Sequence, residues 1–145
     1  MAKGSTYEGD LLKLGLCGLP ISSWAATAGT TVLWCALHDA DPSSGTGQNQ
    51  SEISLTGYAR VAKDRSTGSS GFTVSGSGPA TASPNATISF PQLTSTSTDT
   101  ATFWSVGHSS SGTGKIYYSG AISPTLTLGA NVTPQITTGS SITEL

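Results

Sequence analysis

The chain has 145 residues, a formal net charge of −2 and only 10% charged side chains, against about 25% in ordinary soluble domains. Ser and Thr fill roughly a third of it, beside 18 Gly. So little charge excludes an electrostatically driven nucleic-acid binder, which needs clustered Lys and Arg, and leaves few titratable groups for catalysis. The length suits one folded unit, read as an N-terminal arm over 1–29 and a β-domain over 30–145.

Residues 7–19 read as the one short helix. Leu11, Leu12, Leu14, Leu16 and Leu19 give it an apolar stripe. Glu8 and Asp10 favour its first turn, and Gly18 with Pro20 stops it. Gly15 weakens it by about 1 kcal/mol relative to Ala, so it must dock on something. The run Leu11 to Leu19 is too short to cross a bilayer and is interrupted by Lys13, Gly15 and Gly18, so no membrane is expected. Met1 to Ser5 has no apolar stretch behind its charge. The expectation is synthesis in a reducing cytoplasm, with Cys17 and Cys35 as free thiols. Residues 20–29 form a small-residue linker, in which Trp24 pins the helix or anchors a subunit contact.

The remainder reads as nine short strands. Thr30 to His38 has little polar interruption and is expected to be buried on both faces. Asp39 to Ser54, with Pro42, Gly45 and Gly47, is expected to be a long surface loop. Strands are then expected over Gly57–Asp64, Gly71–Ser75, Ala86–Phe90, Ala101–Ser109, Lys115–Ile122, Thr125–Leu128, Thr133–Thr137 and Ser141–Leu145. The turn Ser110-Ser111-Gly112-Thr113-Gly114 makes 101–122 a hairpin. Within it Trp104, Val106 and His108 share one face, Phe103 and Ser105 take the other, and Ile116 and Tyr118 alternate with Tyr117. The fold class is all-β, a jelly-roll-like or Greek-key β-sandwich.

Chemistry-bearing residues are sparse. His38 is followed by Asp39 and Asp41, but structural zinc wants four Cys/His ligands and a calcium loop wants more acidic oxygens. The segment reads instead as a strand end followed by a turn. No Gly-x-Ser-x-Gly elbow lies between a strand and a helix, and no phosphate loop is present. No catalytic residue, cofactor or metal is therefore expected. Of six basic residues, only Arg60, Lys63 and Arg65 gather, and they split between two strand faces. Asn85-Ala86-Thr87 and Asn131-Val132-Thr133 match the glycosylation pattern as chance matches in a Thr-rich chain.

The segment Leu33-Trp34-Cys35-Ala36-Leu37-His38-Asp39-Ala40-Asp41-Pro42 resembles the opening strand of small tailed-phage virion proteins. Similar to that family, in order, are Gly57-Tyr58-Ala59-Arg60, Ile88-Ser89-Phe90-Pro91, Thr102-Phe103-Trp104-Ser105-Val106-Gly107 and Gly114-Lys115-Ile116-Tyr117-Tyr118-Ser119-Gly120-Ala121. Thr133-Pro134 and Ser141-Ile142-Thr143 fit its last two strands. The likeness runs from about residue 8 to the end. It departs in the Ser/Thr-rich 92–102 and 109–113 segments and at Cys35, where Val or Ala is common.

This resemblance implies a non-enzymatic virion structural protein made in the host cytoplasm. The favoured role is a capsid decoration (cement) protein that binds and stabilises the major capsid protein shell from outside. The alternative is a tail or baseplate fibre protein contacting the host surface. The partner is then the major capsid protein, or tail proteins, together with a second copy of the chain, as a dimer before a trimer. Candidate partner contacts are Trp24, Asp39, Asp41, Tyr58, Arg60, Trp104 and Tyr117. The N-terminal arm through Leu19, the loop from Asp39 to Ser54 and the strip from Gln92 to Thr100 are expected to carry most of the interface.

Overall fold

A computed structural model describes residues 2–4, 7, 16–17, 32–45, 47–76 and 80–144. The strands in chain order are β1 (Ala2–Lys3), β2 (Val32–His38), β3 (Val61–Asp64), β4 (Phe72–Ser75), β5 (Ala80–Pro84), β6 (Ile88–Ser89), β7 (Asp99–Gly107), β8 (Ile116–Leu128), β9 (Gln135–Ile136) and β10 (Ile142–Glu144). They form three antiparallel sheets, ordered β1-β8-β7-β2-β3, β10-β5-β4 and β6-β9. The described residues are thus mostly β. Most of the expected helix over 7–19, and Trp24, lie outside the described residues.

The run of apolar residues in β2 is explained by its place inside the largest sheet. Cys35, Ala36, Leu37 and His38 are all fully buried. Cys35 and Leu37 stand opposite Val106 and Trp104 of β7 and join the main core. Ala36 and His38 pair with Ser105 and Phe103 on the other face. A strand with neighbours on both sides and cover on both faces has no solvent side to alternate toward.

The expected hairpin is present as β7 and β8, closed by the His108 N–H donating to the Lys115 carbonyl at 3.0 Å. Its register jumps between Val106↔Tyr118 and Gly107↔Ile116, leaving Tyr117 as an extra residue. A bulge of this kind breaks side-chain alternation. Tyr117 and Tyr118 consequently both line one apolar cavity of about 270 Å³, instead of facing opposite ways. Leu33 and Val106 contribute from the same sheet, and Phe72, Val74 and Ile142 from the three-stranded sheet. A second jump, from Ala101↔Leu126 to Phe103↔Ala121, sets the four residues 122–125 against Thr102. β8 therefore joins two segments that look like separate strands in the sequence.

Two strands have no sequence signal. β5 is small residues ending in Pro84, yet it is the central strand of its sheet, with Ala82 between Val74 and Ile142. Its neighbours supply what its own propensity does not. β1 is two residues laid beside Tyr118 and Ser119. The core gathers Cys35, Leu37, Trp104 and Val106 from the five-stranded sheet, Ile88 and Ile136 from the two-stranded sheet and Ile142 from the three-stranded sheet.

The 39–54 segment differs from a free surface loop. Pairing of β2 with β3 ends at Cys35↔Val61. Beyond it, residues 51–53 take over. Ile53 N–H donates to the Leu37 carbonyl at 3.0 Å, Asp39 N–H donates to the Ser51 carbonyl at 2.9 Å, and His38 bridges to Glu52. Ile53 enters the core, and Gln48 is fully buried.

Candidate functional site

The densest polar cluster lies under this segment, and Gly57-Tyr58-Ala59-Arg60 builds it. Gly57 has φ +91°, in the region that favours glycine. A Cβ there would sit 2.8 Å from the Gln92 carbonyl oxygen. After this tight turn Tyr58 and Arg60 turn inward, with exposed Ala59 between them. The Tyr58 ring stacks against Phe90, with centroids 6.1 Å apart. Its hydroxyl accepts the Leu37 N–H at 2.9 Å and donates to Glu52 Oε1 at 3.2 Å. Tyr58 thus satisfies a backbone donor of β2 where β3 has stopped. Burial, foremost, and the adjacent Glu52 carboxylate keep its hydroxyl protonated well above the ordinary tyrosine range.

Arg60 is the hub. Its side chain is 2% exposed. Nε donates to Glu52 Oε1 at 2.7 Å and Nη2 to Glu52 Oε2 at 2.6 Å, a bidentate pair. Nη1 also donates to the Ser109 carbonyl at 2.8 Å, and Nη2 to the Gly112 carbonyl at 2.7 Å. Gln48 works beside it. Its amide donates to the Trp34 carbonyl at 2.9 Å, its side-chain oxygen accepts the Ser109 N–H at 3.2 Å, and its own N–H donates to the Gly114 carbonyl at 2.7 Å. One guanidinium and one amide thereby fasten residues 48–52 to the tip of the β7–β8 hairpin. Gly107 leaves the space that Gln48 needs, since a Cβ there would collide with the Gln48 amide and the Lys115 carbonyl.

His38 is the second fully buried group in the cluster. Nδ1 faces the Gln50 carbonyl at 2.8 Å, and Nε2 faces Ser105 Oγ at 2.8 Å. A carbonyl only accepts, so Nδ1 carries the proton and Nε2 accepts from the Ser105 hydroxyl. A serine hydrogen-bonded to a neutral imidazole has the spacing of a nucleophile and its base. Here both residues are fully buried, so no substrate reaches the oxygen. Burial lowers the His38 pKa, against a smaller upward pull from the Gln50 carbonyl. The pair fixes the end of β2.

The six described residues among those read from the sequence fall into three groups. Tyr58 and Arg60 come together in the buried cluster. Trp104 is buried in the core, and Tyr117 is buried against Tyr7, whose ring meets it edge-on at 5.3 Å. Asp39 and Asp41 lie exposed at the start of the loop, with Asp41 Oδ1 accepting the Ser43 N–H at 2.9 Å. Trp24 lies outside the described residues. Reading the sequence missed Glu52, Gln48, Ser105 and the role of the hairpin tip. An acid and an amide inside a loop that should be solvated were the available signal. Among the described residues the aromatic side chains are buried or, at Trp34, Tyr58, Phe103 and Tyr118, half-buried, and no cluster of metal ligands occurs.

The family model described as podophage GP4 fiber I protein gp80 matches residues 21–143. No curated protein matches the chain. The matched span takes in all the strands from β2 to β9 and the whole polar cluster. Its description favours the fibre alternative over the capsid-cement reading. The chain therefore belongs to the podophage GP4 fiber I protein gp80 family, a family of non-enzymatic phage fibre proteins that are structural parts of the virion.

Proposed function

We propose that this protein is a tail-fibre subunit of a podophage virion that joins neighbouring virion proteins through its loops. The observation that carries this is the family match over 21–143. The capsid-cement reading gives way to it, because the family is described by its fibre. The chemistry of the chain suits such a role. Hydroxyl-rich, low-charge surfaces form many hydrogen bonds with little charge to desolvate. Repetition in an assembly turns modest contacts into firm retention.

Of the candidate contacts, exposed Asp39 and Asp41 are assigned to the partner surface, and half-buried Tyr58 and buried Arg60 to holding it in place. Trp104 and Tyr117 are assigned to packing and Trp24 to a subunit contact. Residues 30–145 are taken as one folded unit, its sheets closing as a jelly-roll-like sandwich. Self-association as a dimer, with a trimer as runner-up, belongs to the same proposal. A protein partner is favoured over a host glycan, because glycan stacking uses exposed rings, and the described aromatic residues are buried or half-buried. Electron cryo-microscopy of virions, with the protein marked by a bound antibody fragment, tests the location. Density on the tail appendages is the expected result. Density confined to the capsid shell would overturn the proposal.

A further inference from the structure

We infer that Arg60 is the positioning residue that makes residues 47–52 and the hairpin tip, residues 108–114, a single preformed surface for a neighbouring virion protein. The inference deepens the fibre reading and rests on it for the identity of the partner alone.

The tip has no apolar anchor. Its sequence from 108 to 114 is His-Ser-Ser-Ser-Gly-Thr-Gly, so hydrogen bonds must hold it. Arg60 binds the carbonyls of Ser109 and Gly112, and Gln48 binds the N–H of Ser109 and the carbonyl of Gly114. The same guanidinium grips both oxygens of Glu52 on the other segment. The two segments also touch directly, since a Cβ on Gly47 would lie 2.7 Å from the Thr113 methyl group.

A buried ion pair is a poor source of stability, because apolar side chains of similar volume serve as well. What a planar, five-donor guanidinium supplies is fixed geometry between several acceptors at once, which a lysine ammonium cannot match. Exposed on the surface it fixes are Asn49, Gln50, Ser110 and Thr113. These are short hydrogen-bonding side chains on loops whose freedom is already removed. Preorganisation of this kind lowers the ordering cost of binding. It suits a polar protein surface of matching shape.

The test uses the full chain and Arg60→Lys, which keeps a cation beside Glu52, with Arg60→Ala as a second variant. Hydrogen exchange should show residues 47–52 and 108–114 opening together, about tenfold faster in both variants, with β7 and β8 amides unchanged. Loosening of one segment while the other stays protected would overturn the coupling. Purified protein is then added to virions assembled without it. Arg60→Lys should incorporate about tenfold less than wild type, at a temperature where both are fully folded. Equal incorporation would overturn the positioning role. Wild-type protein that never incorporates would instead count against the fibre reading, with the exchange result standing. Arg60-dependent binding to purified host polysaccharide, with incorporation unchanged, would overturn the protein partner.

Discussion

His38 should make the stability of this protein fall in mild acid. The imidazole is fully buried, holds a proton on Nδ1 for the Gln50 carbonyl, and uses Nε2 as acceptor for Ser105. Charging it means placing a second proton on Nε2, which turns the Ser105 hydroxyl away and puts a cation in a desolvated site. Glu52 and Asp39 favour that cation and Arg60 opposes it, but burial is the largest influence and lowers the pKa. The unfolded chain then takes up a proton near pH 6.5 while the folded chain does not. Stability is retained above that pH and lost below it, at up to about 1.4 kcal/mol per pH unit, until the folded histidine itself titrates. Urea unfolding from pH 8 to pH 5 measures the slope, and His38→Gln should remove that part of it. At pH 8 the same substitution should cost about 1–3 kcal/mol, because Ser105 or the Gln50 carbonyl loses its partner. A wild-type slope between pH 6.5 and 5.5 equal to that of His38→Gln would refute the reasoning.

Three further outcomes follow from the packing. Burial pushes the Cys35 thiol up to about 12, whereas Cys17 is exposed. A thiol reagent at pH 8 should therefore titrate one cysteine in the native protein and two in denaturant, and rapid native labelling of both would contradict the burial. Gly107→Ala should destabilise by about 2 kcal/mol or more in thermal unfolding, since its methyl group would collide with Gln48 and the Lys115 backbone; a neutral result would show that Gln48 does not fill that space. Trp104→Ala should cost about 3–5 kcal/mol by chemical denaturation, against the small loss expected of a surface contact, because the ring is 3% exposed within the core.

The sequence by itself determined the β class, a strand ending at His38 whose last four residues are buried on both faces, and the β7–β8 hairpin. Each is carried by local composition: an apolar run, a Gly-rich turn, alternating aromatics. The motif Gly57 to Arg60 was legible as a family likeness but not as a mechanism. Its meaning depends on Glu52, on Leu37 twenty-one residues before Tyr58, and on the carbonyls of Ser109 and Gly112 about fifty residues after Arg60. Only the tertiary structure decided that the 39–54 segment is a fastened flank of β2, that β5 becomes a central strand despite weak propensity, and that a bulge turns Tyr117 and Tyr118 to one cavity. Local sequence sets the preference of a segment for strand or turn. Register, bulges and buried polar pairs are set by partners distant in the chain, whose contribution appears only once the sheets have met.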